Sequence, residues 1–250
     1  MSHTTAITRP LRRQRALLTP HRGAALVAAL SVVLTLDACL DSSVTTGSTV
    51  TPAAMAVVSG DAQVGAAGNT LPVAVIVRVT DQSGVAVSGA AVSFVPATAS
   101  GTVSAGALFT DTSGSAGVLW TLGTTIGVDS LSASVAGVPT ITVTATVTHG
   151  SPASIAIVSG GAQTAPAGTT LSTPLVVRVT DRFGYAVPNA SVSWSNDANG
   201  AFASASAVTD ADGRAQAIYT LGATAGLQHV TVTVSTSAGA MLTTISATGT

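Results

Sequence analysis

From residue 54 onward, apolar and polar residues alternate in short runs. Val73, Val75, Val77 and Val79 are separated by Ala74, Ile76, Arg78 and Thr80, the period-2 pattern of a half-buried strand. Leu175, Val177 and Val179 repeat it, and the runs Thr140–Val147 (TITVTATV) and His229–Val234 (HVTVTV) alternate in the same way. Val, Thr and Ile suit a pleated surface, and clusters of Gly, Asp, Ser and Asn break the runs every 8–15 residues. No amphipathic helix is predicted after residue 38. Several short strands in about 100 residues predict a β-sandwich. Phe94 and Trp194 share the parity of Val92 and Val192, and Trp120 and Tyr219 that of Val118 and Ala217. Each repeat is therefore expected to point two large rings into a core. A carbohydrate-stacking platform would need rings on an outer face instead.

The pattern occurs twice. Ser59–Phe94 aligns without gaps on Ser159–Trp194 at an offset of 100, with 19 of 36 positions identical. Thr110-Asp111 through Thr121-Leu122-Gly123 matches Thr209-Asp210 through Thr220-Leu221-Gly222 at an offset of 99. A period this long is a duplicated domain, not a solenoid unit. The expected class is all-β, two tandem β-sandwich domains over residues 53–148 and 152–250.

The N-terminal part differs. Five of nine arginines (Arg9, Arg12, Arg13, Arg15, Arg22) precede a 14-residue apolar run, Gly23–Leu36. That is the length of a signal-peptide core, short of the ~20 residues that span a bilayer. The run ends in Leu36-Asp37-Ala38-Cys39, which resembles the lipobox of bacterial lipoproteins, with Asp37 departing from the usual small residue. The resemblance implies a signal peptide over 1–38 and lipid attachment at Cys39, so that membrane lipid is a partner. A plain secretory signal and an uncleaved helical anchor are the alternatives. Residues 39–52 (CLDSSVTTGSTVTP) are rich in Ser and Thr and read as a tether, with a coil span of ~20 Å.

Charge and composition narrow the chemistry. Only 8% of residues are charged, and Lys and Glu are absent. From Cys39 onward four Arg and nine Asp remain, a formal charge of −5. That balance lacks the basic patch a phosphate backbone needs, so nucleic acid is not an expected partner. Without Lys or Glu there is no Schiff-base lysine, P-loop or H-E-x-x-H zinc site. Cys39 is the only cysteine, so no disulfide forms within the chain and no thiol site remains. His149 and His229 lie 80 residues apart at unmatched positions and read as solvent-exposed side chains. Asp210-Ala211-Asp212-Gly213 begins like a calcium loop but lacks the later oxygen ligands, and an Asx turn is the expected form. No catalytic residue, cofactor or metal is expected, and the chain reads as a non-enzyme.

A family resemblance rests on the series V-S-G-[DG]-A-Q, G-x-T-L, V-R-V-T-D-x-x-G, V-S-[FW] and T-D-x-x-G, present in order in both repeats. It resembles the bacterial Ig-like domain of the invasin/intimin type over about residues 54–250. The resemblance implies an extracellular sandwich of the kind strung into surface arrays. Invasins and intimins carry an outer-membrane barrel first and often a lectin-like tip. Here a basic, apolar segment leads and the second repeat runs to Thr250, so fold and location are implied more strongly than adhesion.

One difference between the repeats marks candidate contact residues. After the shared Arg-Val-Thr-Asp block, the first repeat reads Gln82-Ser83-Gly84-Val85 and the second Arg182-Phe183-Gly184-Tyr185. Rings in an Asp-x-x-Gly turn are out of place on an open surface. The turn follows a strand returning to the domain's N-terminal pole, which in the second domain faces the first. Phe183 and Tyr185 are therefore expected at an interdomain contact, with inert exposure and a ligand contact as the alternatives. The expected function is a lipid-anchored envelope protein, a structural spacer or surface adhesion module, with an unknown surface protein or glycan as partner. The alternative is a glycan- or envelope-polymer-binding module using the sandwich loops.

Overall fold

The computed structural model describes residues 50–250; Cys39 and its box lie outside the described residues. The first repeat forms β1 (Ala54–Ser59), β2 (Gln63–Ala66), β3 (Val75–Thr80), β4 (Ala91–Pro96), β5 (Thr102–Val103), β6 (Ala107–Phe109), β7 (Ser115–Val118), β8 (Trp120–Thr121), β9 (Gly127–Val135) and β10 (Val138–Thr148). The second forms β11 (Ser154–Ser159), β12 (Gln163–Ala165), β13 (Leu175–Thr180), β14 (Val192–Asn196), β15 (Ala201–Ala205), β16 (Arg214–Thr220), β17 (Gly226–Thr236) and β18 (Gly239–Gly249). Five residues, His149–Ala153, join β10 to β11.

In the first repeat a β1-β3-β7 sheet faces a β2-β10-β9-β4-β6 sheet, with β5-β8 as a short extra ladder. In the second, β11-β13-β16-β15 faces β12-β18-β17-β14. Alternation explains both cores. Val75, Val77 and Val79 are fully buried, as are Leu175, Val177 and Val179. From the opposite sheets, Leu131, Val143 and Val147 fill the first core, and Val230, Val232 and Ile245 the second. Each such side chain contributes about 1.5–3 kcal/mol over an exposed one. Each core is separate, built only from residues of its own repeat.

The shared motifs are structural. The chain leaves the first sheet after β1 and joins the second as β2, parallel to β10. Gly60, at φ +86°, makes that crossing; a Cβ there would lie 2.5 Å from the Ala74 carbonyl oxygen. Gln63 then pins the crossing to the next segment, donating to the Gly60 and Val73 carbonyls and accepting from Val73 N–H. Gln163 makes the same three bonds with Gly160 and Thr173. The buried Thr110 hydroxyl donates to the Val87 carbonyl and accepts from Ala90 N–H, as Thr209 does with Val187 and Ala190. Four Asp-x-x-Gly segments are Asx turns: Asp81, Asp111, Asp181 and Asp210 each accept the N–H two and four residues on.

Two expectations are corrected. Val73 precedes the strand and is 49% exposed, because its backbone is turned to meet Gln63. Of the four rings expected inside, Phe94, Trp120 and Tyr219 are buried, but Trp194 is only partly so. The cause is strand order. β4 is covered on its outer side by β6, whereas β14 is the edge of its sheet. The Trp194 indole N–H reaches the Ser206 carbonyl at 3.0 Å, and its ring tilts against Phe202 at 6.4 Å.

Candidate functional site

The turn after β13 is held at both ends by one carboxylate. Asp181 Oδ1 accepts the N–H groups of Phe183 and Tyr185 at 2.9 and 3.0 Å. Its Oδ2 accepts the N–H of Gly150, in the linker, at 2.8 Å. Asp181 is buried, 3% exposed. Burial alone would raise its pKa. The three N–H donors, with Gly150 foremost, and the charge of His149 outweigh it and hold the carboxyl below its ordinary value of 3.8.

That turn carries Arg182 and Phe183 onto the first domain. An Arg182 terminal nitrogen donates to the Ala67 carbonyl at 3.1 Å and to Asn69 Oδ1 at 3.2 Å. Its guanidinium carbon lies 4.6 Å from the Phe183 ring centroid, in cation–π range. Gly68 lies beneath both. A Cβ on it would be 2.7 Å from an Arg182 nitrogen and 2.9 Å from Phe183 Cζ. Gly68 also has φ +68°, so glycine is required there for backbone shape and for the close approach alike. The receiving loop is fixed from behind by Ala67 N–H on the Thr148 carbonyl and Gly68 N–H on the Gly123 carbonyl.

The two ring residues singled out in the sequence part company here. Phe183 sits over Gly68 while remaining 39% exposed. Tyr185 is half-buried, and its backbone carbonyl accepts the Asp181 N–H to close the turn. Sequence reasoning missed Arg182 and Asn69. Their signal was available: Arg182 stands where the first repeat has Gln82, and Asn69 where the second has Thr169. Thr169 spends its hydroxyl on the Pro166 carbonyl, and a Cβ on Gly168 would meet nothing within 4 Å.

Elsewhere, His229, read as a solvent-exposed side chain, also pairs with Asp197: Nδ1 to Oδ2 at 2.8 Å, with the His229 N–H on Oδ1. Both side chains are exposed, about 40% and 52%. The His229 N–H and ring hold the Asp197 carboxyl below its ordinary value. Among the described residues no group of three His, Cys, Asp or Glu side chains is placed to hold a metal ion.

Comparison with known proteins agrees with this architecture. Residues 158–249 match the bacterial Ig-like domain (group 1) family. No curated protein matches the sequence. The solved structure of FdeC, an Escherichia coli adhesin, is similar with a TM-score of 0.50 and 20% identity, over 78% of this chain and 63% of that one. Yersinia pseudotuberculosis InvD gives 0.48 and 22%, over 78% and 57%. The D0-D1 domain of intimin gives 0.31 and 20%, over 77% and 98%. The chain thus spans less than two thirds of the FdeC and InvD chains. With the bacterial Ig-like domain (group 1) match over the second repeat and the same strands, turns and glutamine pin in the first, the chain folds as two Ig-like sandwiches in tandem.

Proposed function

We propose that this protein is a non-catalytic spacer and interaction module of the bacterial cell envelope, anchored by lipid on Cys39, with its two domains held as a stiff rod. The observation that carries the reading is the junction. Arg182, Phe183 and Asp181 tie the second domain to Ala67–Asn69 and to Gly150. A five-residue linker without these bonds would let the domains swing, because interdomain contacts are otherwise small and mobile. Stiffness is what a spacer needs in order to hold a surface at a set distance from the membrane. The similarity to an adhesin fold and the N-terminal Leu36–Cys39 box support an exported location. Two or more acyl chains would anchor the chain stably.

Protease shaving of intact cells, followed by mass spectrometry, tests the location. Peptides from both domains should be released, and intact mass of the mature protein should begin at Cys39 with added acyl mass. Retention of both domains inside the cell, or a mature N-terminus elsewhere without lipid, overturns the reading.

A further inference from the structure

In each domain an N-terminal strand lies beside the last strand and runs in the same direction. β2 pairs in parallel with β10, Gln63 to Ala66 lying opposite Ala145 to Thr148. β12 pairs in parallel with β18, Gln163 to Ala165 lying opposite Ala247 to Gly249. Every other ladder between the described strands is antiparallel. This arrangement decides how a domain meets tension. A pull on the two ends of the chain draws β2 backwards and β10 forwards, so the strands slide along one another. The bonds of a parallel pair are evenly spaced, so they share the load and must give way together. Strands peeled apart from one end would lose them one at a time.

The backbone part of the pairing is alike in the two domains. Ala62 N–H on the Thr144 carbonyl and Ala67 N–H on the Thr148 carbonyl, both at 2.9 Å, close the first pair at its ends. Ala162 N–H on Ser246, at 2.8 Å, and Ala167 N–H on Thr250, at 3.0 Å, close the second. The side chains differ. Asp61 Oδ1 accepts the Thr144 N–H at 2.9 Å, and the Thr148 hydroxyl donates to the Gly65 carbonyl at 3.2 Å. Both bonds cross the seam between the two ends of the domain. The Thr144 N–H is foremost among the groups that hold the Asp61 carboxyl below its ordinary value of 3.8, and a bond to an ionised carboxylate is stronger than a neutral one. Gly161 stands where the first repeat has Asp61, and no side-chain bond joins β12 to β18 among the described residues.

We propose that the chain is a graded tether built to carry tension: the parallel pair of each domain is a shear clamp, and the first clamp, reinforced by Asp61 and Thr148, holds while the second yields. The proposal deepens the spacer reading and rests on it for where the load enters. With Cys39 fixed in a membrane and the second domain engaged at a surface, tension runs through β2 and β10 to the linker, then through β12 and β18. The reinforced domain is the one next to the anchor. Yielding of the second domain, 99 residues over 152–250, would lengthen the tether by on the order of 300 Å. That extension relaxes the tension while the anchor-side domain keeps its fold.

The test is single-molecule force spectroscopy of the full chain, held by Cys39 and by a cysteine added after Thr250. Under constant force the domains should unfold in two steps, the second domain first. Forced unfolding reads the unfolding rate, so Asp61→Gly with Thr148→Val should shorten the lifetime of the later step by about tenfold and leave the earlier step unchanged. Moving the second handle to Ala136→Cys, in the turn between β9 and β10, puts both handles at the pole where β1 begins. The first domain is then peeled and not sheared. Its lifetime at the same force should fall by about tenfold or more, and the double variant should no longer matter. Equal lifetimes in the two pulling directions overturn the proposal, as does a first domain that unfolds before the second. So does a double variant that leaves the later step unaltered, or that shortens lifetimes equally in both directions, which is general destabilisation. Protease shaving and scattering report on location and on the junction, neither of which depends on these bonds, so the two readings fail separately.

Discussion

Arg182 of the second domain donates to Asn69 of the first at 3.2 Å, and each is a residue that the other repeat lacks. Gln82 and Thr169 occupy the matching positions. The contact thus belongs to one junction and is not a by-product of the fold. Asn69→Thr should loosen the junction without unfolding either domain. Residual dipolar couplings of the two domains would measure it: they should share one alignment tensor in the native chain and diverge in the variant.

Asp181 makes the junction sensitive to acid. Its folded pKa lies below the ordinary value, so its contribution is fully present above pH ~4 and is lost as pH falls through the lowered value. The N–H of Gly150 should show strong hydrogen-exchange protection at pH 5 and lose it on acidification. Asp181→Asn retains an acceptor oxygen for the turn but loses the second oxygen that meets Gly150. It should show weak Gly150 protection at every pH.

The two tryptophans should differ in energetic weight. Trp120 is fully buried, with its N–H on the Ser100 carbonyl at 2.8 Å, so Trp120→Ala should destabilise the first domain by about 3–5 kcal/mol. Trp194 lies on an edge strand, and Trp194→Ala should cost the second domain less. Chemical denaturation, with each domain followed by its own NMR signals, separates the two.

Tyr219 gives a contrasting case. Its ring packs at 5.1 Å from Phe202, yet its buried hydroxyl has no hydrogen-bond partner. Burial and the charge of Asp197 raise its pKa above 10.0. Removing an unpaired buried polar group costs nothing and relieves its desolvation. Tyr219→Phe should leave the unfolding midpoint unchanged or raise it. A clear loss of stability would mean that the hydroxyl has a partner in solution.

Much of this architecture was legible in the residues, and the failures have physical causes. Period-2 alternation reports which face a side chain takes, so Val75, Val77 and Val79 were readable as core. Alternation does not report where a strand stops or which strand is an edge, so Val73 and Trp194 were misplaced. Both depend on pairing partners distant in sequence. The turn bearing Phe183 stood out because rings are unusual there. Arg182 did not, since an arginine in a turn looks like an ordinary solvated charge. Only the carbonyl of Ala67 and the amide of Asn69, 115 and 113 residues away, give it a role. Tyr185 looked equivalent to Phe183, but the backbone directs the Phe183 ring over Gly68 and uses Tyr185 to close the turn.

The central claim is that the junction clamp stiffens the two-domain rod. The most direct measurement is small-angle X-ray scattering of the native chain against Arg182→Gln with Phe183→Ser, which installs the first repeat's residues. Both proteins should unfold at the same midpoints, domain by domain. The native chain should fit a narrow distribution of interdomain angles, and the variant a broad one with a shorter mean end-to-end distance. Identical scattering from the two would contradict the claim.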